Sequence, residues 1–259
     1  MRSWLIAIAL LIPVNVAVAD EADPNIEFFY PLVTGRPVIE RELELKVAHL
    51  KSRDGRETSV TAAIELPLLP RWQIKLEVPL VFTDPRNGGG AIGPGDLKVE
   101  NKFLVFKSYD TPSLIAVGFE AALPTGSERR GLGGEAAIEA FVRGAVALGP
   151  FDVLAEIAYE WNVNAHVHGE REQTVTAGVA VGYLLTRRVT PLLELTMVRR
   201  LCGTDDEDGP RLRGRSQLYV TPGVNVRPLP RTTVRFGVEL PVPTRGRSTT
   251  ILGGGVREF

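Results

Sequence analysis

The sequence predicts an all-β protein, a transmembrane antiparallel up-and-down β-barrel of about twelve strands. Three observations predict it: a period-two alternation of apolar and polar residues, connectors that alternate between tight and long, and a leader-like N-terminus. The 259 residues suit one large domain or two small ones, and single all-β barrels reach this size. A formal net charge of −1 offers no basic excess for nucleic acid. The one cysteine, Cys202, excludes an intramolecular disulfide framework and any multi-cysteine metal site.

Residues 1–19 read as a signal peptide. Arg2 supplies the positive start, "WLIAIALLIPVNVAVA" the apolar core, and Ala17-Val18-Ala19 the small-residue cleavage pattern, so the mature chain is expected to begin at Asp20. A transmembrane helix is the competing reading, but the apolar stretch is short for a span and Pro13 interrupts it. No cysteine follows to carry a lipid anchor, and export with a single cysteine fits the Gram-negative envelope better than a disulfide-rich secreted protein. Residues 20–37 are expected to form an N-terminal periplasmic extension, and residues 38–259 the outer-membrane barrel. The consecutive aromatics Phe28, Phe29 and Tyr30 suit a segment tucked into the lumen or packed at the rim.

The strands follow from alternation. "RWQIKLEVPLVF" sets Trp72, Ile74, Leu76, Val78, Leu80 and Phe82 against Gln73, Lys75 and Glu77. "ETSVTAAIELPL", "DVLAEIAYEWNV" and "TVRFGVELPV" behave alike, giving each strand one apolar and one polar face. Segments start near Val38, Arg56, Arg71, Gly95, Pro112, Gly134, Phe151, Arg171, Arg188, Arg213, Arg231 and Arg247. Connectors at 68–71, 107–112, 149–150, 186–188 and 228–231 are tight, whereas those at 84–94, 124–133, 164–170 and 202–212 are long and polar. Two of the second set, near 53–55 and 243–246, are short. Turns on one side and loops on the other describe an outer-membrane barrel, and an even strand count puts both termini in the periplasm. Phe259 supplies the terminal aromatic common in such barrels.

A soluble sandwich or lipocalin-like barrel would reverse the faces. Strand length favours the bilayer, which needs about 9–11 tilted residues where soluble strands average about five or six. Trp72, Phe82, Phe106, Phe119, Tyr159, Trp161 and Tyr183 stand near strand ends, where interfacial girdles are expected.

Several short motifs offer chemistry and lack its context. "GGGAIG" (88–93) matches a dinucleotide loop but leads into a strand instead of a helix N-terminus. "HVH" (166–168) supplies two imidazoles, too few for a closed zinc site. "TDDEDG" (204–209) fails the calcium-loop register. No nucleophile elbow or Ser–His–Asp set stands out, so no enzyme, cofactor or metal centre is expected.

The charged faces carry more. Glu40, Glu42, Glu44, Lys46, Glu65, Lys75, Glu77, Lys98, Glu100, Lys102, Glu120, Glu135, Glu139, Arg143, Glu156, Glu160, Arg235 and Glu239 are the candidate lumen lining. On the lipid side a Lys or Arg at the midplane would cost about 2–4 kcal/mol. Such a lining either forms a polar channel or an ion-pair network that fills and stiffens a narrow barrel. In "ALPTGSERRGLGG" (122–134), Arg129 and Arg130 are expected at the outer mouth, near lipopolysaccharide phosphates.

"GPGDLKVENKF" (93–103) after a Gly-rich loop, then "ALPTG" (122–126), together with "RELELKVAHL" and "LPRWQIKLEVPLVF", resembles the outer-membrane protein family named for the meta-pathway of phenol degradation. The resemblance covers residues 40–126, and beyond that only the strand pattern matches. It implies a transporter-like barrel, some of its members being encoded near aromatic catabolism, and a structural role for Gly95-Asp96 and Pro124-Thr125-Gly126. The expected function is passive passage of small molecules, hydrophobic or aromatic ones included. The alternatives are a structural or surface-interaction barrel with a plugged lumen and, more remotely, a lipid-modifying enzyme. The expected partners are the lipid bilayer, lipopolysaccharide, a small-molecule solute and the barrel-assembly machinery.

Overall fold

The computed structural model describes residues 26–86, 88–163, 173–202, 216–242 and 248–259, and they form one closed antiparallel sheet. The strands are β1 (Glu42–Lys51), β2 (Gly55–Leu69), β3 (Trp72–Pro85), β4 (Ala91–Pro94), β5 (Leu97–Ser108), β6 (Ser113–Leu123), β7 (Ala137–Leu148), β8 (Phe151–Asn162), β9 (Gln173–Tyr183), β10 (Val189–Cys202), β11 (Ser216–Leu229), β12 (Thr232–Val242) and β13 (Thr249–Glu258). Closure comes from β1 against β13, paired from Glu42↔Glu258 to Lys51↔Thr249. Both β4 and β5 pair with β3, through Leu80↔Pro94 and Glu77↔Lys98. The Gly95 amide donates to the Pro79 carbonyl at 3.0 Å, so β4 and β5 are one strand broken by a bulge at Gly95-Asp96. The ring therefore has twelve strands, as the sequence predicts.

Lipid requires a closed ring because it leaves no backbone group for water to satisfy. No described helix is long and apolar enough to cross a membrane. Leu43, Leu45 and Val47 on β1, Leu76, Val78 and Leu80 on β3, and Ile157, Tyr159 and Trp161 on β8 are exposed, while Glu42, Glu44, Gln73, Glu77, Lys102 and Arg143 are buried. A water-soluble barrel has the reverse arrangement. At the turn end the exterior carries aromatic pairs, Trp72 stacked on Phe103 at 5.8 Å and Phe151 tilted on Tyr183 at 5.2 Å. Gly149, at φ 62°, makes the two-residue turn between β7 and β8 in a backbone region that favours glycine.

The core lies inside the ring. Ile26, Phe28, Phe29 and Val38 pack with Leu104, Leu114, Leu154, Ala180 and Leu192 of the wall. Residues 26–37, expected ahead of the barrel, thus lie against its inner surface. The first strand, expected from Val38, begins at Glu42, because the Glu40 amide donates to the Gln73 side chain (2.8 Å) instead of to a ladder partner. Residues 1–25, with the expected signal peptide (1–19), "HVH" and "TDDEDG" lie outside the described residues.

Candidate functional site: the occupied lumen

The N-terminal segment is held at its backbone. Glu194 on β10, fully buried, accepts the amides of Leu32, Val33 (3.1 Å) and Thr34 (2.7 Å). The Gly35 amide donates to Glu156 at 2.9 Å. On the carbonyl side, Asn225 donates to Tyr30 at 2.8 Å, Arg235 to Pro31, and Lys102 to Arg36 at 3.4 Å. Bonds to charged partners are the stronger kind, each worth about 1.5–3 kcal/mol net.

Wall glycines make the room. A Cβ on Gly182 would meet the Phe29 ring at 2.5 Å, and one on Gly223 or Gly237 would meet Leu32 at 2.5 or 2.2 Å. At the seat's base the Tyr30 hydroxyl lies within reach of the carboxylates of Glu258 (2.7 Å), Glu42 (3.0 Å) and Glu40 (3.3 Å). Burial pushes the Tyr30 phenol up, so it stays protonated and donates. Arg36 lies 3.7 Å over the Tyr30 ring and pairs with Glu40 at 3.1 Å.

Around the segment the wall is ionic. Glu42, Glu65, Lys75, Glu100, Glu120, Glu139 and Glu160 stand in successive cross-strand register from β1 to β8, each directly opposite the next. Like charges so placed repel. Cations beside the row compensate: Lys102 reaches Glu65 (3.3 Å), Lys98 reaches Glu120 (2.8 Å), and Arg143 reaches Glu100 (2.8 Å) and Glu156 (2.5 Å). Within the row Lys75 pairs with Glu65 (2.9 Å), and it also meets Glu77 (2.9 Å) and Glu44 (3.4 Å). Lys46 pairs with Glu77 at 2.6 Å, and Arg235 pairs with Glu44 across β13. Glu239 accepts from Thr250 at 3.3 Å, and Glu135, near the loop end, accepts from Asn162 at 2.8 Å. Arg129 and Arg130 sit on an exposed 3-10 turn, from which Arg130 donates to the Ile92 carbonyl at 2.9 Å.

Cavities open on both sides of the segment. On the loop side a cavity of about 240 Å³ is lined by Glu77, Lys98, Glu120 and Glu139 together with residues 30–36. On the turn side one of about 860 Å³ is lined by Phe29, Tyr30, Asp152, Asn225, Arg187 and Arg188. Sequence reasoning passed over Glu194 and Asn225, and it set Gln73 and Asp152 on polar strand faces without counting them in the lining. Glu194 is the lone charge in "TPLLELTMV", and that isolation was the available signal.

The two motif stretches meet at the loop end. Asp96, in the bulge, accepts the amides of Gly126 (2.8 Å), Gly134 (2.9 Å) and Glu135 (3.2 Å). Thr125 donates its hydroxyl to the Gly95 carbonyl at 3.0 Å and accepts the Leu97 amide at 2.9 Å. Leu132, buried, completes this fold of loop over strand. "GGGAIG" runs into β4, so no helix N-terminus cradles an anion there.

Comparison with solved structures places the fold in a class. An outer-membrane channel from Pseudomonas putida F1 superposes with a TM-score of 0.65 at 12% identity, covering 90% of this chain and 100% of that one. The NanC porin gives 0.60 at 12% identity, covering 84% and 100%. The KdgM porin in complex with disordered oligogalacturonate gives 0.54 at 10% identity, covering 84% and 99%. The fold is that of outer-membrane β-barrel channels. No family model and no curated protein matches the chain.

Proposed function

We propose that this protein is a passive outer-membrane channel for small solutes, and that residues 26–41 must shift within the lumen for a solute to pass. The supporting observation is the seat on Glu194: three consecutive backbone amides bound to one buried carboxylate, with cavities on both sides. The charged lining of both signs argues against strong selection by ion sign. The resemblance to the phenol-pathway family directs the first solute tests to small aromatic and hydrophobic molecules. Chemistry on a substrate forms no part of this reading.

Planar-bilayer conductance and liposome swelling test it, with the full chain beside a variant lacking residues 26–37. A small or intermittent conductance from the full chain and a larger, steady one from the variant are expected. A second reading, a sealed structural barrel, draws on the number of wall strands that grip the segment. Absence of conductance and uptake from both folded proteins would favour that reading and sink the channel.

A further inference from the structure

We propose that the lipid-facing surface at the loop end of β1–β3 binds the phosphate groups of lipopolysaccharide through Lys51, Arg56 and Arg86. The inference rests on the membrane-barrel reading. It begins from side-chain parity. On β1 the outward positions run Leu43, Leu45, Val47, His49, Lys51, and on β2 they run Ile64, Ala62, Val60, Thr58, Arg56. Directly opposite pairs therefore ascend from Leu43↔Ile64 through Val47↔Val60 to His49↔Thr58 and Lys51↔Arg56.

The gradient is that of a membrane boundary. Leu43, Leu45 and Val47 are exposed and apolar. His49 and Thr58 share a hydrogen bond of 2.9 Å, satisfying each other where the hydrocarbon ends. Above them come two cations side by side. On β3 the outward row rises through Val78, Leu80 and Phe82 to Asp84, opposite Arg56, and the exposed Arg86 follows in the turn just beyond the strand. The Arg86 amide donates to the Asp54 carbonyl at 2.7 Å, tying this turn to the one between β1 and β2. Arg130, through its bond to the Ile92 carbonyl, brings a further guanidinium to the same rim.

Lys51 opposite Arg56 is a repulsive pair, and Asp84 is the single carboxylate among these outward positions. The side chains of Lys51, Arg56 and Arg86 are exposed and make no ion pair among the described residues. An anion would relieve the repulsion. The loop end of such barrels faces outward, where the lipid carries phosphates at the depth of this boundary, and guanidinium groups match phosphate geometry in paired bonds.

The test uses the refolded full chain in detergent, titrated with lipid A dispersed in that detergent. The triple variant Lys51→Gln, Arg56→Gln, Arg86→Gln is expected to bind lipid A about tenfold more weakly or worse. The variant Arg41→Gln, Arg257→Gln, changed at the opposite end, is expected to match the parent chain. Lipid A stripped of its phosphates is expected to bind the parent chain as weakly as intact lipid A binds the triple variant. Undiminished binding by the triple variant, equal binding of the stripped lipid, or equal loss in the turn-end variant would overturn the inference. Heat-modifiable gel migration and detergent-dependent extraction of every variant report the membrane barrel separately. If they hold while lipid A binding is unchanged, only the phosphate site fails. If the chain dissolves in salt without detergent, both readings fail.

Discussion

The wall around the lumen has two arcs of different chemistry. From β1 to β8 it is ionic and bonded mostly to itself: Lys75 alone meets Glu44, Glu65 and Glu77, and Arg143 spans Glu100 and Glu156. From β9 to β13 it is lined by small residues, with Gly178, Gly182, Gly223 and Gly237 facing the N-terminal segment and Glu194 holding its amides. The ionic arc also touches the segment, through Gln73, Lys102 and Glu156, which are already engaged with the wall, and through Glu42, which accepts from Tyr30 at 3.0 Å and pairs with Arg36 at 3.5 Å. Stability and occupancy of the lumen thus draw mainly on different strands, with Glu42 and Arg235 serving both, and substitutions away from those two can move one more than the other.

Four substitutions test that division. The largest effect is expected from Lys75→Met. It strips three buried carboxylates of a shared cation and should lower unfolding stability by about 3–5 kcal/mol, with little change in conductance. Urea unfolding in detergent beside bilayer recordings would check both halves. Glu194→Ala should do the reverse. It removes the charge-assisted bonds to the segment, about 3 kcal/mol of seating or roughly a hundredfold in the seated population. Conductance should rise while the unfolding midpoint stays near that of the parent. Next comes Gly182→Val, whose side chain would enter the space of the Phe29 ring. It should cost the seat about 1–3 kcal/mol and raise protease access to residues 26–37. The smallest effect belongs to Asp96→Ala. Freeing the amides of Gly126, Gly134 and Glu135 should cost about 1 kcal/mol. It should show as faster nicking after Arg129 or Arg130, with the barrel otherwise intact.

Much of the fold was legible because a barrel in lipid obeys one local rule. Alternation along "RWQIKLEVPLVF" or "DVLAEIAYEWNV" tells the two faces apart, and the alternation of tight and long connectors tells the two ends apart. The chain order of strands then becomes their order in the sheet. The seat was hidden because its contacts are long-range and irregular. Glu194 meets residues about 160 positions away, and neither its own strand nor "NIEFFYPLVTGRPV" carries a period to reveal it. Glycines such as Gly182 and Gly237 look like ordinary small residues in strands until the side chains across the lumen are known. Asp96 was visible as part of a motif, but its role needed the neighbouring loop to be folded back on it.

The central claim is that passage requires the segment to leave its seat, and tethering it tests this most directly. A Cβ on Gly178 would lie 3.9 Å from that of Thr34, within the range of about 3.5–4.5 Å that a disulfide needs. With Cys202→Ser as background, the pair Thr34→Cys and Gly178→Cys should give a bilayer conductance near zero when oxidised, restored to the parent level by reductant. The same conductance in the oxidised and reduced states, with the cross-link verified, would contradict the account.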